Sequence, residues 1–174
     1  METQVNPTSM VTPRSVGIKF GLISALISVV FFLVLVISGQ NAFDNKWSWI
    51  GLIISVAIVF LAHKNYKESG NGFMSYGQGV GIAFWITLVS LVINFVITYC
   101  YVTFIDPSAM DLFYDKQTEQ MAANGMQDDQ IDMAIGWTKT LFWPLYLFFG
   151  LFFGVLVGVI VSIFTQKKNP EPAF

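Results

Sequence analysis

Few residues in this chain could do chemistry, and their spacing argues against most of it. His63 is the sole histidine. A zinc site or a histidine general base needs companions at fixed offsets, and the sequence has neither an HExxH pair nor a second histidine. Cys100 is the sole cysteine, so no internal disulfide or cysteine-rich metal cluster can form. It lies in an apolar run, where a free thiol acts as a small hydrophobe. Asp128, Asp129 and Asp132 could offer carboxylates to calcium, but they lack the alternating oxygen ligands and central glycine of a calcium loop. Gly70-Asn71-Gly72 and Gly77-Gln78-Gly79 resemble phosphate-cradling loops in composition alone: neither completes GxGxxG, and neither follows a strand. No catalytic set, cofactor or metal is expected, and the chain reads as a non-enzyme.

Two other patterns carry more information. Gly150, Gly154 and Gly158 form a double GxxxG, and Gly17, Gly21 and Ala25 make a similar line. Small residues four apart let helix backbones approach closely in lipid, where hydrophobicity gives helices no drive to associate. Such a seam serves either packing within the chain's own bundle or a homo-oligomer interface. Asn94 stands near the middle of an apolar helix together with Thr87, Ser90 and Thr98. An amide at that depth needs a partner. The expected one is a hydrogen bond to a neighbouring helix; the alternative is a polar patch lining a pathway. His63 is expected at the headgroup level.

The elements that must position these residues are apolar spans. Leu141–Phe164 runs for twenty-four residues without a charge, and about 20 suffice to cross the hydrocarbon of a bilayer. The 174-residue chain is 55% hydrophobic and 11% charged, against about a quarter charged in soluble domains. Four spans are expected, at residues 16–38, 47–63, 76–104 and 138–165, within a single membrane domain covering 15–168. Residues 1–14 read as a disordered lead and 169–174 as a tail. The first apolar core, Phe20–Ile37, exceeds the 7–15 residues of a cleaved signal and reads as a retained anchor. Val16-Gly17-Ile18-Lys19-Phe20 echoes Val80-Gly81-Ile82-Ala83-Phe84, as if spans one and three opened from the same side.

Ser75 and Gln78 have the spacing of a capping box at the start of span three. Asp106-Pro107 is a helix start, and Asn124-Gly125 a helix stop. Between spans three and four, residues 106–137 form an outer acidic segment, in which Met110, Phe113, Tyr114 and Met121 share one helical face. Pro144 should kink or locally break the last helix. Arg14, Lys19, Lys64, Lys67, Lys167 and Lys168 fall on one side of the spans, and Lys46, Lys116 and Lys139 on the other. That bias favours both termini in the cytoplasm. No Asp or Glu lies inside a span, which weighs against a proton-coupled transporter. The net charge of −2 excludes a broad basic face, and no nucleic-acid partner is expected.

Three stretches resemble a bacterial membrane-protein family, the domain of unknown function 4199. Lys19-Phe20-Gly21-Leu22-Ile23 is similar to its opening of span one, and Gly72-Phe73-Met74-Ser75-Tyr76-Gly77 to its opening of span three. Asn124-Gly125-Met126-Gln127-Asp128-Asp129-Gln130-Ile131 resembles its acidic helix-turn-helix before the last span, with Gln127 where members carry Ser or Thr. The resemblance implies four spans with an acidic insertion before the last, in a bacterial inner membrane. It assigns no activity and so transfers no catalytic residue.

The expected fold is all-α: a four-helix transmembrane bundle with an amphipathic helical hairpin between helices 3 and 4. Besides the lipid bilayer, the expected partner is a second copy or another membrane protein. The leading functional expectation is a non-enzymatic structural or interaction component, and the alternative is a small oligomeric channel or transport component.

Overall fold

The computed structural model describes residues 11–169, so most of the expected lead and tail lies outside the described residues. Five helices account for most of the chain: α1 (Pro13–Ile37), α2 (Ser48–Ser69), α3 (Tyr76–Cys100), α4 (Ser108–Ala123) and α5 (Asp128–Thr165). Among the described residues, α1, α2, α3 with its extension to Ile105, and α5 are long and apolar enough to cross a membrane. Their outward faces are apolar: Leu26, Val30, Val34, Phe60, Phe148 and Phe152 are all exposed. Water would not tolerate so continuous an apolar surface, and lipid would cover it.

Local chemistry sets the helix ends. Pro13 and Arg14, expected in the lead, already belong to α1. Thr12 accepts from the Ser15 N–H, Ser15 Oγ accepts from the Thr12 N–H, and Pro13 occupies a first-turn position that needs no donor. At α3 the Ser75–Gln78 box closes as its spacing predicts: Ser75 Oγ accepts from the Gln78 N–H at 3.3 Å, and Gln78 Oε1 accepts from the Ser75 N–H at 2.8 Å. Past Cys100, α3 widens into one π-helical turn, Tyr101–Ile105, closed by the Asp106 N–H donating to the Tyr101 carbonyl. Pro144 does not end α5, which continues as one helix through it.

The second arm of the outer hairpin runs on into span four as one helix. Residues after Gly125, whose φ of 80° suits glycine, form the first turns of α5 itself. Helix α4 is the one free-standing element of that segment.

The four apolar helices form a ring in the order α1, α3, α5, α2, each touching the next, with α2 closing on α1. Gly17 approaches Ile82 and Trp85, and Gly21 approaches Ile86 and Val89, so α1 and α3 run parallel. Gly150, Gly154 and Gly158 meet Leu91, Thr87 and Ala83 in that order, so α5 runs antiparallel to α3. The fully packed core lies towards the end carrying the chain termini. Val16, Ile58, Val59, Ala62, Ile82, Ala83, Ile86 and Val161 are buried there against Met74.

Candidate functional site

Both glycine seams lie on α3, one on each side of it. A Cβ at Gly158 would overlap the Ala83 Cβ, and one at Gly154 would overlap the Thr87 side chain. A Cβ at Gly150 would come within 2.7 Å of Leu91 Cδ1, and one at Gly21 within 2.8 Å of Val89 Cβ. A Cβ at Gly17 would collide with Trp85 and lie 2.9 Å from the Ile82 carbonyl. All five glycines therefore sit at contacts within the chain; at Gly17, Gly21, Gly154 and Gly158 a Cβ would meet backbone or the base of a side chain, and at Gly150 only the flexible end of Leu91.

Away from the terminal end the bundle does not close. The half nearer the α1–α2 loop surrounds a cavity of about 340 Å³, within the size range of small-molecule sites. All four apolar helices contribute polar groups to its wall: Ser24 and Ser28 from α1, Ser55 from α2, Thr87, Ser90, Asn94 and Thr98 from α3, and Tyr146 from α5. The i, i+3, i+7, i+11 spacing of the four α3 residues puts them on one face. Phe31, Phe32 and Ile86 supply apolar wall, while Ala42 and Phe43 line the cavity at the loop. Among the described residues no His, Cys, Asp, Glu, Lys or Arg lines it.

Asn94 does not make the expected bond to another helix. Its Nδ2 donates at 2.7 Å to the Ser90 carbonyl one turn back in α3. Ser90 Oγ likewise donates to the Thr87 carbonyl at 3.2 Å. The Asn94 carbonyl oxygen and the hydroxyls of Ser24, Ser28, Ser55 and Thr98 have no hydrogen-bond partner among the described residues. Thr98 is only 6% exposed. The wall thus offers unused neutral donors and acceptors in an otherwise apolar setting.

Aromatic rings roof the cavity. Phe43 meets Phe32, Phe113 and Phe142 edge to face at centroid distances of 6.4, 6.2 and 5.7 Å. Phe113 belongs to the apolar face of α4, so this helix lies across the end of the bundle, with Met110 buried beneath it. Lys116 of α4 donates to Asp44 Oδ2 in the α1–α2 loop at 2.9 Å. The hydrogen bond from Lys116, followed by the backbone N–H of Lys46, holds the Asp44 carboxyl below the usual carboxylate range.

The opposite end is sealed around His63, which sequence reasoning placed at the headgroup level. Here α2 continues two turns past the expected end of its span, because Val59, Ala62, His63 and Tyr66 form one buried stripe. His63 is fully buried. Its Nε2 donates to the Gly79 carbonyl of α3 at 2.9 Å, and its Nδ1 lies 2.7 Å from Thr165 Oγ1 of α5. The carbonyl can only accept, which fixes a proton on Nε2. Lys67 Nζ donates to the Thr165 carbonyl at 2.9 Å. One imidazole thus ties three helices together. The i, i+3, i+4, i+7 stripe from Val59 to Tyr66 is the sequence signal that marks it.

These features define a class: an all-helical protein with four helices long and apolar enough to cross a membrane, packed together around His63 and hollow between the helices nearer the α1–α2 loop. The chain belongs to the family of proteins of unknown function DUF4199, whose model matches residues 19–167. No curated protein and no solved structure matches it.

Proposed function

We propose that this protein is a non-enzymatic, multi-pass membrane component that binds a small uncharged solute in the cavity between its spans. A role in transport of that solute would follow. The observation that carries the reading is the cavity wall. A hydroxyl or amide left without a partner in an apolar medium costs several kcal/mol, yet polar groups from four helices converge on one hollow. A neutral solute with donors and acceptors would satisfy them. Among the described residues the lining has no carboxylate, histidine, cysteine, lysine or arginine, only the Tyr146 phenol; that disfavours ions and protons as cargo and supplies no nucleophile–base pair for catalysis.

The channel alternative raised by the sequence assumed a path shared between copies; the cavity instead lies within one chain. The structural or interaction reading leans on glycine seams, and these face α3 of the same chain, where no partner can use them. The Lys/Arg bias supports both termini in the cytoplasm of a bacterial inner membrane, which would turn the roofed end of the cavity outward.

Thermal unfolding of the purified protein in mild detergent, with graded glycerol, erythritol or N-methylurea, tests the reading. Excluded osmolytes stabilise any fold, so the decisive quantity is the difference between the parent and a cavity-filling Ser90→Leu variant. A saturable rise in Tm confined to the parent supports solute binding. Equal responses of both proteins to every probe, matching that to sucrose, would refute it.

A further inference from the structure

A second hollow lies at the terminal end, on the far side of the His63 seal from the solute cavity. Its volume is about 680 Å³, and it is bounded by the α2–α3 turn, the start of α3 and the segment after α5. An antiparallel bridge holds that segment in place: the Met74 N–H donates to the Lys167 carbonyl and the Lys167 N–H to the Met74 carbonyl, both at 2.9 Å. The bridge fixes Lys167 and Lys168 at the rim, with Lys167 Nζ 5.4 Å from the centre of the Phe73 ring.

Of the three amides that line this hollow, Asn71, Gln78 and Asn169, the first two have their oxygens engaged locally. Asn71 Oδ1 accepts from the Phe73 N–H at 3.2 Å, and Gln78 Oε1 accepts from the Ser75 N–H at 2.8 Å. With those oxygens used locally, the NH₂ of each of the two is the group left free to donate. Tyr66 also lines it; that residue is 8% exposed, and its hydroxyl has no partner among the described residues. Among the described residues no carboxylate lines the hollow, and nearby Glu68 is drawn to Lys64 at 3.7 Å. Two ammonium groups, two amide donors and a buried phenol around one space form a site for an anion with several oxygens.

We infer that this hollow binds the phosphate of an anionic phospholipid headgroup. It lies where the apolar helices end, at headgroup depth, and Val11 and Phe73 give it an apolar side against which acyl chains can lie. Lysines at that level attract anionic lipid in any case. The donor-only amides and Tyr66 turn a general attraction into a defined site.

Native mass spectrometry on protein from mixed phosphatidylglycerol and phosphatidylcholine micelles reads the site directly. The parent should retain one phosphatidylglycerol in preference to phosphatidylcholine. Asn71→Asp and Gln78→Glu keep the acceptors that cap the turn and α3, and replace a donor with a charged oxygen. Each should weaken retention about tenfold or more, because a charge-assisted bond is lost and repulsion added. Tyr66→Phe should weaken it less. Thermal unfolding verifies that each variant is folded. Inorganic phosphate in phosphatidylcholine provides the other arm: stabilisation by phosphate alone, without lipid preference, would assign the site to a soluble phosphate and overturn the lipid assignment. Equal retention by the parent and both acidic variants would overturn the site. A preference that emerges only after removal of residues 170–174 would give the hollow to the chain's own tail, and overturn it likewise.

Discussion

Exchanging a single methyl group across the α3–α5 seam tests the packing quantitatively. A methyl at position 158 lands on the Ala83 Cβ, and alanine has no rotamer through which to yield. The two backbones must separate, at the upper part of the about 1–3 kcal/mol typical of overpacked cores. Alanine is favoured over glycine in a helix by about 1 kcal/mol, so Gly158→Ala should lose about 1–2 kcal/mol net. Ala83→Gly forfeits that same propensity and opens a methyl-sized void, again about 1–2 kcal/mol. In the double variant the transferred methyl finds the residue-83 Cα at 3.6 Å, an ordinary van der Waals distance. The pair should therefore fall close to the parent, with a coupling equal to the two single losses together, about 2–4 kcal/mol. Gly136 is the control, since no atom lies within 4 Å of a Cβ there; Gly136→Ala should be neutral or stabilising by up to about 1 kcal/mol. Reversible unfolding in mixed detergent micelles measures all four variants. If Gly158→Ala behaves like Gly136→Ala and the double variant shows no coupling, α3 and α5 do not meet as described.

Replacing His63 with Ala removes the second hydrogen bond to the Gly79 carbonyl and opens a void between three helices, so unfolding should become easier by about 2–4 kcal/mol; a loss below about 1 kcal/mol would show that the imidazole does not join them. Phe113→Asp puts a charge into the aromatic roof and should speed proteolysis within 106–127, whereas cleavage at the parental rate would place α4 elsewhere. The Asp44–Lys116 tie should depend on pH in a defined direction. Because the folded carboxyl titrates below its ordinary value of 3.8, the tie is fully present above that pH and is lost as pH falls through the folded value. Proteolysis of α4 should accelerate below that range in the parent, and Asp44→Asn should remove the dependence.

The spans were legible because twenty apolar residues admit few other readings, and the capping box at Ser75 because two side chains satisfy two backbone donors by local geometry alone. The seams were legible as seams, but which helix they face is a tertiary fact: nothing in Gly150, Gly154 and Gly158 names Ala83, Thr87 and Leu91. His63 was misplaced because its neighbours Lys64, Lys67 and Glu68 mark a polar boundary, while the buried stripe from Val59 to Tyr66 carries α2 across it. The cavity was legible only in its α3 part. Asn94 and its neighbouring hydroxyls shared a face in the sequence, but Ser24, Ser28, Ser55 and Tyr146 joined them only through the order of the ring.

The central claim is a bundle hollow at its roofed end and sealed at the other, and accessibility to a small impermeant thiol reagent in intact cells tests it most directly. In a version lacking Cys100, single cysteines would be placed at Ser90 in the cavity, Ser162 in the sealed end, Asn124 beside α4 and Asn71 in the α2–α3 turn. The account predicts rapid reaction at Asn124, measurable reaction at Ser90, none at Ser162, and reaction at Asn71 only after the membrane is opened. Reaction at Ser162 equal to that at Ser90, or at Asn71 in sealed cells with none at Asn124, would contradict it.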